Sequence, residues 1–114
     1  MKKELPAVQK AYDLCKELLT RVSNFPRDYK FSLGERIIEN SLAILELLIQ
    51  ASYSQQKVKF LDEANMRLER LRFLLRISRE LGSLSNNGYE YVMKMITELG
   101  NQVGGWRKQA SGKA

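Results

Sequence analysis

Residues 25–53 read FPRDYKFSLGERIIENSLAILELLIQASY, and the second half of that stretch decides the fold. On a helix, at about 100° per residue, Leu33, Ile37, Ile44, Leu47, Leu48 and Ala51 share one side. Ile38, Leu42, Leu45 and Ile49 widen that side beyond the usual stripe of roughly 100°. Only Glu35, Glu39, Glu46 and Gln50 leave a narrow polar strip. A helix this apolar, over residues 33–53, is expected at the centre of a bundle with several others covering it. Ser32 and Glu35 have capping-box spacing at its start, and Pro26 stops a preceding helix from continuing. Asn40 and Ser41 fall inside the apolar arc, and each needs a buried partner.

Working outward, three more helices are predicted. Over residues 5–24, Val8, Ala11, Cys15, Leu18 and Val22 alternate steps of three and four, with Phe25 next, as in an a/d seam. The loop at 25–32 carries three aromatics, Phe25, Tyr29 and Phe31, expected to plug the end of the bundle. The other reading is that Tyr29 or Phe31 stacks on a nucleobase between Arg27 and Lys30. After a turn at residues 54–56, a third helix at 57–81 has the seam Leu61, Ala64, Leu68, Leu71, Leu75 and Ser78, with Gly82 just past its end. Arg67 projects from within its apolar arc and needs a carboxylate or a polar interface; the acidic strip of residues 33–53 is the candidate. A fourth helix at 89–104, capped by Ser85 or Asn86, has the seam Tyr89, Val92, Ile96, Leu99, Val103 and Trp106. Gly104 and Gly105 are expected to end it, and the four-residue spacing of Gly100 and Gly104 to admit a neighbouring helix closely. The expected fold is all-α, an antiparallel up-down four-helix bundle over residues 1–108 with a flexible tail at 109–114.

The chain has 114 residues, one cysteine and no histidine. That excludes an intramolecular disulfide and a Cys/His zinc site. Cys15 lies on the apolar face of its helix and reads as a buried structural thiol, which suits a reducing cytoplasm. No signal peptide and no membrane span are expected. There is no P-loop, no glycine-rich strand-turn-helix and no carboxylate set with metal-ligand spacing. No catalytic constellation, cofactor or metal is expected.

What remains is cationic and amphipathic. The formal net charge is +6, with most of the excess after residue 56, which suits a polyanionic partner. Arg72, Arg76 and Arg79 lie at i, i+4 and i+7, forming one stripe, with Arg70 and Arg67 nearby. Arginine's planar fork can hold phosphate bidentately. Arg76 with Glu80, and Arg72 with Glu69, could instead pair within the helix. The stripe is the first candidate for an anionic partner, followed by Arg27 and Lys30, then Arg107 and Lys108. Met66, Phe73 and Ile77 form a second apolar patch, away from seam and stripe, that one bundle need not bury. They are candidates for an oligomer interface.

These residues resemble a known family. FPRDYKFSLGERI at 25–37, AILELLIQASY at 43–53, LDEAN at 61–65, LERLRFLLRISRELGSLS at 68–85 and ELGNQVGGWRK at 98–108 are similar, in that order, to accessory variability determinant (Avd) proteins of diversity-generating retroelements. The chain departs at Arg107, where family members often carry an apolar residue. The resemblance implies a four-helix bundle assembling into a pentameric ring or barrel with a basic surface. It also implies a non-enzymatic role: binding the element's reverse transcriptase and template RNA to support mutagenic cDNA synthesis. A bundle family found in ribosomal-RNA intervening sequences shares the expected fold but fits LGERI and GGWRK less well.

Overall fold

Apolar seams on four long helices close on one another to make the core. The computed structural model describes residues 4–112, with side chains from residue 6. The elements are α1 (Glu4–Ser23), α2 (Arg27–Lys30), α3 (Leu33–Tyr53), α4 (Lys57–Glu80) and α5 (Asn86–Gly112), and no strand occurs among the described residues. The long helices pack in cyclic order, α1 on α3, α3 on α4, α4 on α5 and α5 on α1, in a rod of 48 × 22 × 19 Å. Chain direction alternates, as expected for an up-down four-helix bundle.

The seams of α4 and α5 follow the heptad spacing. Leu61, Ala64, Leu68, Leu71, Leu75 and Ser78 are all buried, as are Val92, Ile96, Leu99, Val103 and Trp106, while Tyr89 packs half-buried against them. On α1 the buried stripe is wider than an a/d seam. Ala7 and Leu14 join Ala11, Cys15, Leu18 and Val22, and Val8 is half-buried. The expectation that residues 33–53 form a central helix does not hold. Among the long helices α3 packs on α1 and α4, as each of the others packs on two neighbours, and its surplus apolar side leaves Leu42 and Ile49 exposed.

The buried polar groups of α3 are satisfied. Asn40 Nδ2 donates to the Arg36 carbonyl at 2.8 Å, and Ser41 Oγ to that of Ile38 at 2.9 Å. Cys15 Sγ donates to the Ser41 carbonyl at 3.1 Å, tying α1 to α3. Close helix approach occurs at Gly34 rather than at Gly100 or Gly104. A Cβ on Gly34 would lie 2.7 Å from Val22 Cγ1, whereas one on Gly104 would meet nothing within 4 Å and one on Gly100 only the Arg72 guanidinium.

The ends differ from expectation in three places. The segment before α3 is not a plain loop but contains α2. Phe25 plugs the core, Tyr29 is half-buried and Phe31 is 65% exposed. Ser32 makes no side-chain cap bond. It follows α2 almost directly and sits at φ −123°, ψ −81°, not in the extended backbone that a capping side chain uses. Most notably, α5 runs through Gly104 and Gly105 to Gly112. Trp106 is 4% exposed and Ala110 packs on the core, so the seam continues past the glycines. Two helical glycines cost about 0.8–1 kcal/mol each, while burying one large apolar side chain contributes about 1.5–3 kcal/mol. The expected tail at 109–114 is therefore helical through Gly112, and residues 113–114 lie outside the described residues. The turns behave as expected. Ser54 Oγ accepts from the Gln56 amide, Gly82 holds φ 81° past α4, and Ser85 Oγ caps α5 by accepting from the Gly88 amide at 3.0 Å.

Candidate functional site

Beyond its core seam, α4 offers three other sides. Arg72, Arg76 and Arg79 share the one turned toward α5, and the structure gives each a neighbour. Arg72 lies half-buried in the α4–α5 groove. Its Nε is 3.4 Å from Glu69 Oε2, within ion-pair range, yet it makes no hydrogen bond. Arg76 Nε meets Glu80 Oε2 at 3.4 Å, with both side chains largely in solvent. Arg79 stacks over the Tyr89 ring, 4.3 Å from its centroid. An exposed pair of this spacing, as Arg76 and Glu80 make, contributes only about 0.2–0.5 kcal/mol.

The other predicted cations lie apart from the stripe. Arg27, exposed, and Lys30, half-buried, sit on α2 at the end where α1 meets α3. Arg107 and Lys108 sit near the opposite end. Arg107 Nε and Nη2 donate to both Asp62 oxygens at 2.8 and 3.3 Å, tying α5 to α4. That bond holds the Asp62 carboxyl below its ordinary range and raises the Arg107 guanidinium. Lys57 Nζ donates to the carbonyls of Ala51 and Ser52, closing the end of α3. The predicted cations therefore do not converge on one point.

A different set does converge. In the groove between α3 and α4, Arg36, Arg67 and Arg70 line a concavity of about 390 Å³ with Glu39, Asn40 and Phe73. None of the three arginines makes an ion pair among the described residues. Arg67 Nη1 donates to Asn40 Oδ1 at 3.3 Å, so the partner expected among the carboxylates of α3 is an amide. Phe73 stands at the rim, 61% exposed. Sequence reasoning missed Arg36. Its place one turn before Asn40 was visible, but the register that brings it to Arg67 was not.

The apolar patch of α4 is where its spacing put it. Met66, Phe73 and Ile77 are all exposed, on the side opposite the core. Tyr12, Leu19, Leu42 and Ile49 add exposed apolar surface on α1 and α3. Burial raises the Cys15 thiol above its ordinary range, slightly offset by its bond to Ser41. Among the described residues no group of three His, Cys, Asp or Glu side chains could hold a metal, and no helix is long and apolar enough to cross a membrane.

The structure defines a four-helix bundle with arginine-lined grooves and an exposed apolar helix face. A family model described as bAvd-like matches residues 6–110. The chain belongs to that family, a family of accessory, non-catalytic proteins. No curated protein matches the chain. Among solved structures it is similar to a protein of unknown function from the S23 ribosomal protein family of Bacteroides thetaiotaomicron. That similarity has a TM-score of 0.86 at 14% identity and covers 93% of this chain and 98% of the other. At that identity the likeness shows the fold.

Proposed function

We propose that this protein is an accessory subunit of a diversity-generating retroelement. It binds the element's reverse transcriptase and template RNA and supports mutagenic cDNA synthesis in the cytoplasm. The observation that carries this reading is the bAvd-like match over residues 6–110; the net charge of +6 supports an RNA partner. The stripe of Arg72, Arg76 and Arg79 meets phosphate or an acidic surface of the polymerase. Assembly is a homopentamer, with Met66 and Ile77 against a neighbouring copy and Phe73 left at the edge of that contact. A ring repeats the stripe in every subunit, so weak contacts act together.

The test is reconstitution with the polymerase and template RNA. Replacing Arg72, Arg76 and Arg79 together with Glu should leave circular dichroism near wild type, because all three lie outside the buried seam and the exposed Arg76–Glu80 pair contributes little to stability, the half-buried Arg72 being the costliest of the three changes. It should abolish cDNA synthesis. Unchanged synthesis by the folded variant rules out the stripe. If wild-type protein has no effect on cDNA synthesis, the retroelement reading fails. Ile77→Asp should lower the oligomer mass by light scattering while helicity stays, and a wild-type monomer at micromolar concentration would refute the ring.

A further inference from the structure

We propose that the groove between α3 and α4 binds a nucleotide of single-stranded RNA. Arg36, Arg67 and Arg70 hold its phosphate and Phe73 stacks on its base. The site lies on the opposite side of α4 from Arg72, Arg76 and Arg79, and it rests on the reading that RNA is a partner. Three observations carry it. The arginines of the α5-facing stripe have acidic or aromatic neighbours, whereas Arg36, Arg67 and Arg70 share one concavity with no ion pair among the described residues. Its volume of about 390 Å³ falls within the range of roughly 300–1,000 Å³ typical of ligand pockets. Phe73 presents a ring at the rim, and a base stacked on an aromatic beside a cationic groove is the usual single-strand geometry.

Glu39 and Asn40 indicate which anion fits. The Asn40 carbonyl oxygen orients Arg67 by accepting its hydrogen bond. Glu39 lines the same groove. Its carboxylate repels any anion set against it, so the phosphate belongs at the arginines, and it accepts hydrogen bonds from base amino groups. The set suits a ligand with an anionic end and a flat, amino-bearing end. An unpaired nucleotide is such a ligand. A duplex is not, because its bases are stacked away from Phe73.

The test uses the full chain and a fluorescein-labelled RNA of mixed sequence, single-stranded or annealed, followed by anisotropy across a salt series. Wild type should prefer the single strand. The variant Arg36→Gln/Arg67→Gln/Arg70→Gln should bind about tenfold more weakly or worse. Its log–log salt slope should be shallower by about 0.7, the value for one single-strand phosphate contact. Because Arg67 bonds Asn40, Arg36→Gln/Arg70→Gln alters only exposed side chains and should show part of the same loss. Phe73→Leu keeps apolar surface for assembly and should weaken single-strand binding about fivefold while sparing the duplex. A groove variant that binds like wild type overturns the site while leaving RNA as a partner. Loss of oligomer mass in the double variant also overturns it, assigning the groove to a protein contact. If wild type binds no RNA, the RNA reading and the site fall together.

Discussion

Gly104 and Gly105 provide the sharpest test of how α5 is built. Both are exposed and helical, and a Cβ on either would meet nothing within 4 Å. Alanine is favoured over glycine inside a helix by about 0.8–1 kcal/mol, with no packing term to subtract here. Gly104→Ala/Gly105→Ala should therefore stabilise the chain by roughly 1.6–2 kcal/mol, since the sites introduce no clash. For a domain of this size that corresponds to a rise in melting temperature of about 5–10 °C. The assay is thermal melting by circular dichroism, with light scattering to confirm unchanged mass. Gly82→Ala is the control. That residue sits at φ 81°, and forcing a Cβ into the left-handed region costs about 1–2 kcal/mol. If the double alanine variant melts at or below the wild-type temperature, the helix does not run through the glycine pair.

Trp106→Ala should destabilise the bundle by about 3–5 kcal/mol. An unchanged melt with lost RNA binding would instead make Trp106 a stacking platform. Cys15 should react with a thiol reagent far more slowly in the native protein than after unfolding, because burial disfavours the thiolate and shields the sulfur from the reagent. A native rate matching a free cysteine would contradict that packing. Asp62 should titrate by NMR below the ordinary aspartate value of about 3.9, because Arg107 hydrogen-bonds its charged form. Its contribution to stability is then present above that value and lost as pH falls through the depressed one. Arg107→Gln should return the midpoint to normal, and an unmoved midpoint would refute the pair.

The legible part of this fold is what repeats. Six positions on α4 were placed in the core from spacing alone, and all six are buried, because a seam of threes and fours maps directly onto one helix side. Where the sequence misled, a local signal competed with a distant contact. Gly104-Gly105 is a stop signal by itself, but Trp106 and Ala110 find the core beyond it, and packing outweighs propensity. Ser32 and Glu35 have cap spacing, but four-residue α2 delivers the chain to Ser32 in the wrong backbone conformation. The surplus apolar side of α3 suggested enclosure by several helices, whereas two long neighbours and the short α2 suffice and Leu42 and Ile49 stay at the surface.

Charge was less legible than packing, for a related reason. A cation stripe is visible in sequence when its members lie three or four apart, and that is also the spacing at which acids on the same helix reach them. Arg72 and Arg76 stood out by that periodicity, and Glu69 and Glu80 neutralise them by it. Arg36 and Arg67 lie on different helices. They meet because antiparallel packing sets α3 against α4 in a register marked by the Asn40–Arg67 bond. Neither helix places an acid within ion-pair reach of them or of Arg70 among the described residues. The cations easiest to find in the sequence were thus already partly neutralised, while tertiary register assembled a site with no ion pairs. Helix α4 then presents one cationic side toward α5 and another toward α3, with its outward apolar side between them. On the proposals above, that separation lets one helix serve polymerase and RNA without the two competing for the same arginines.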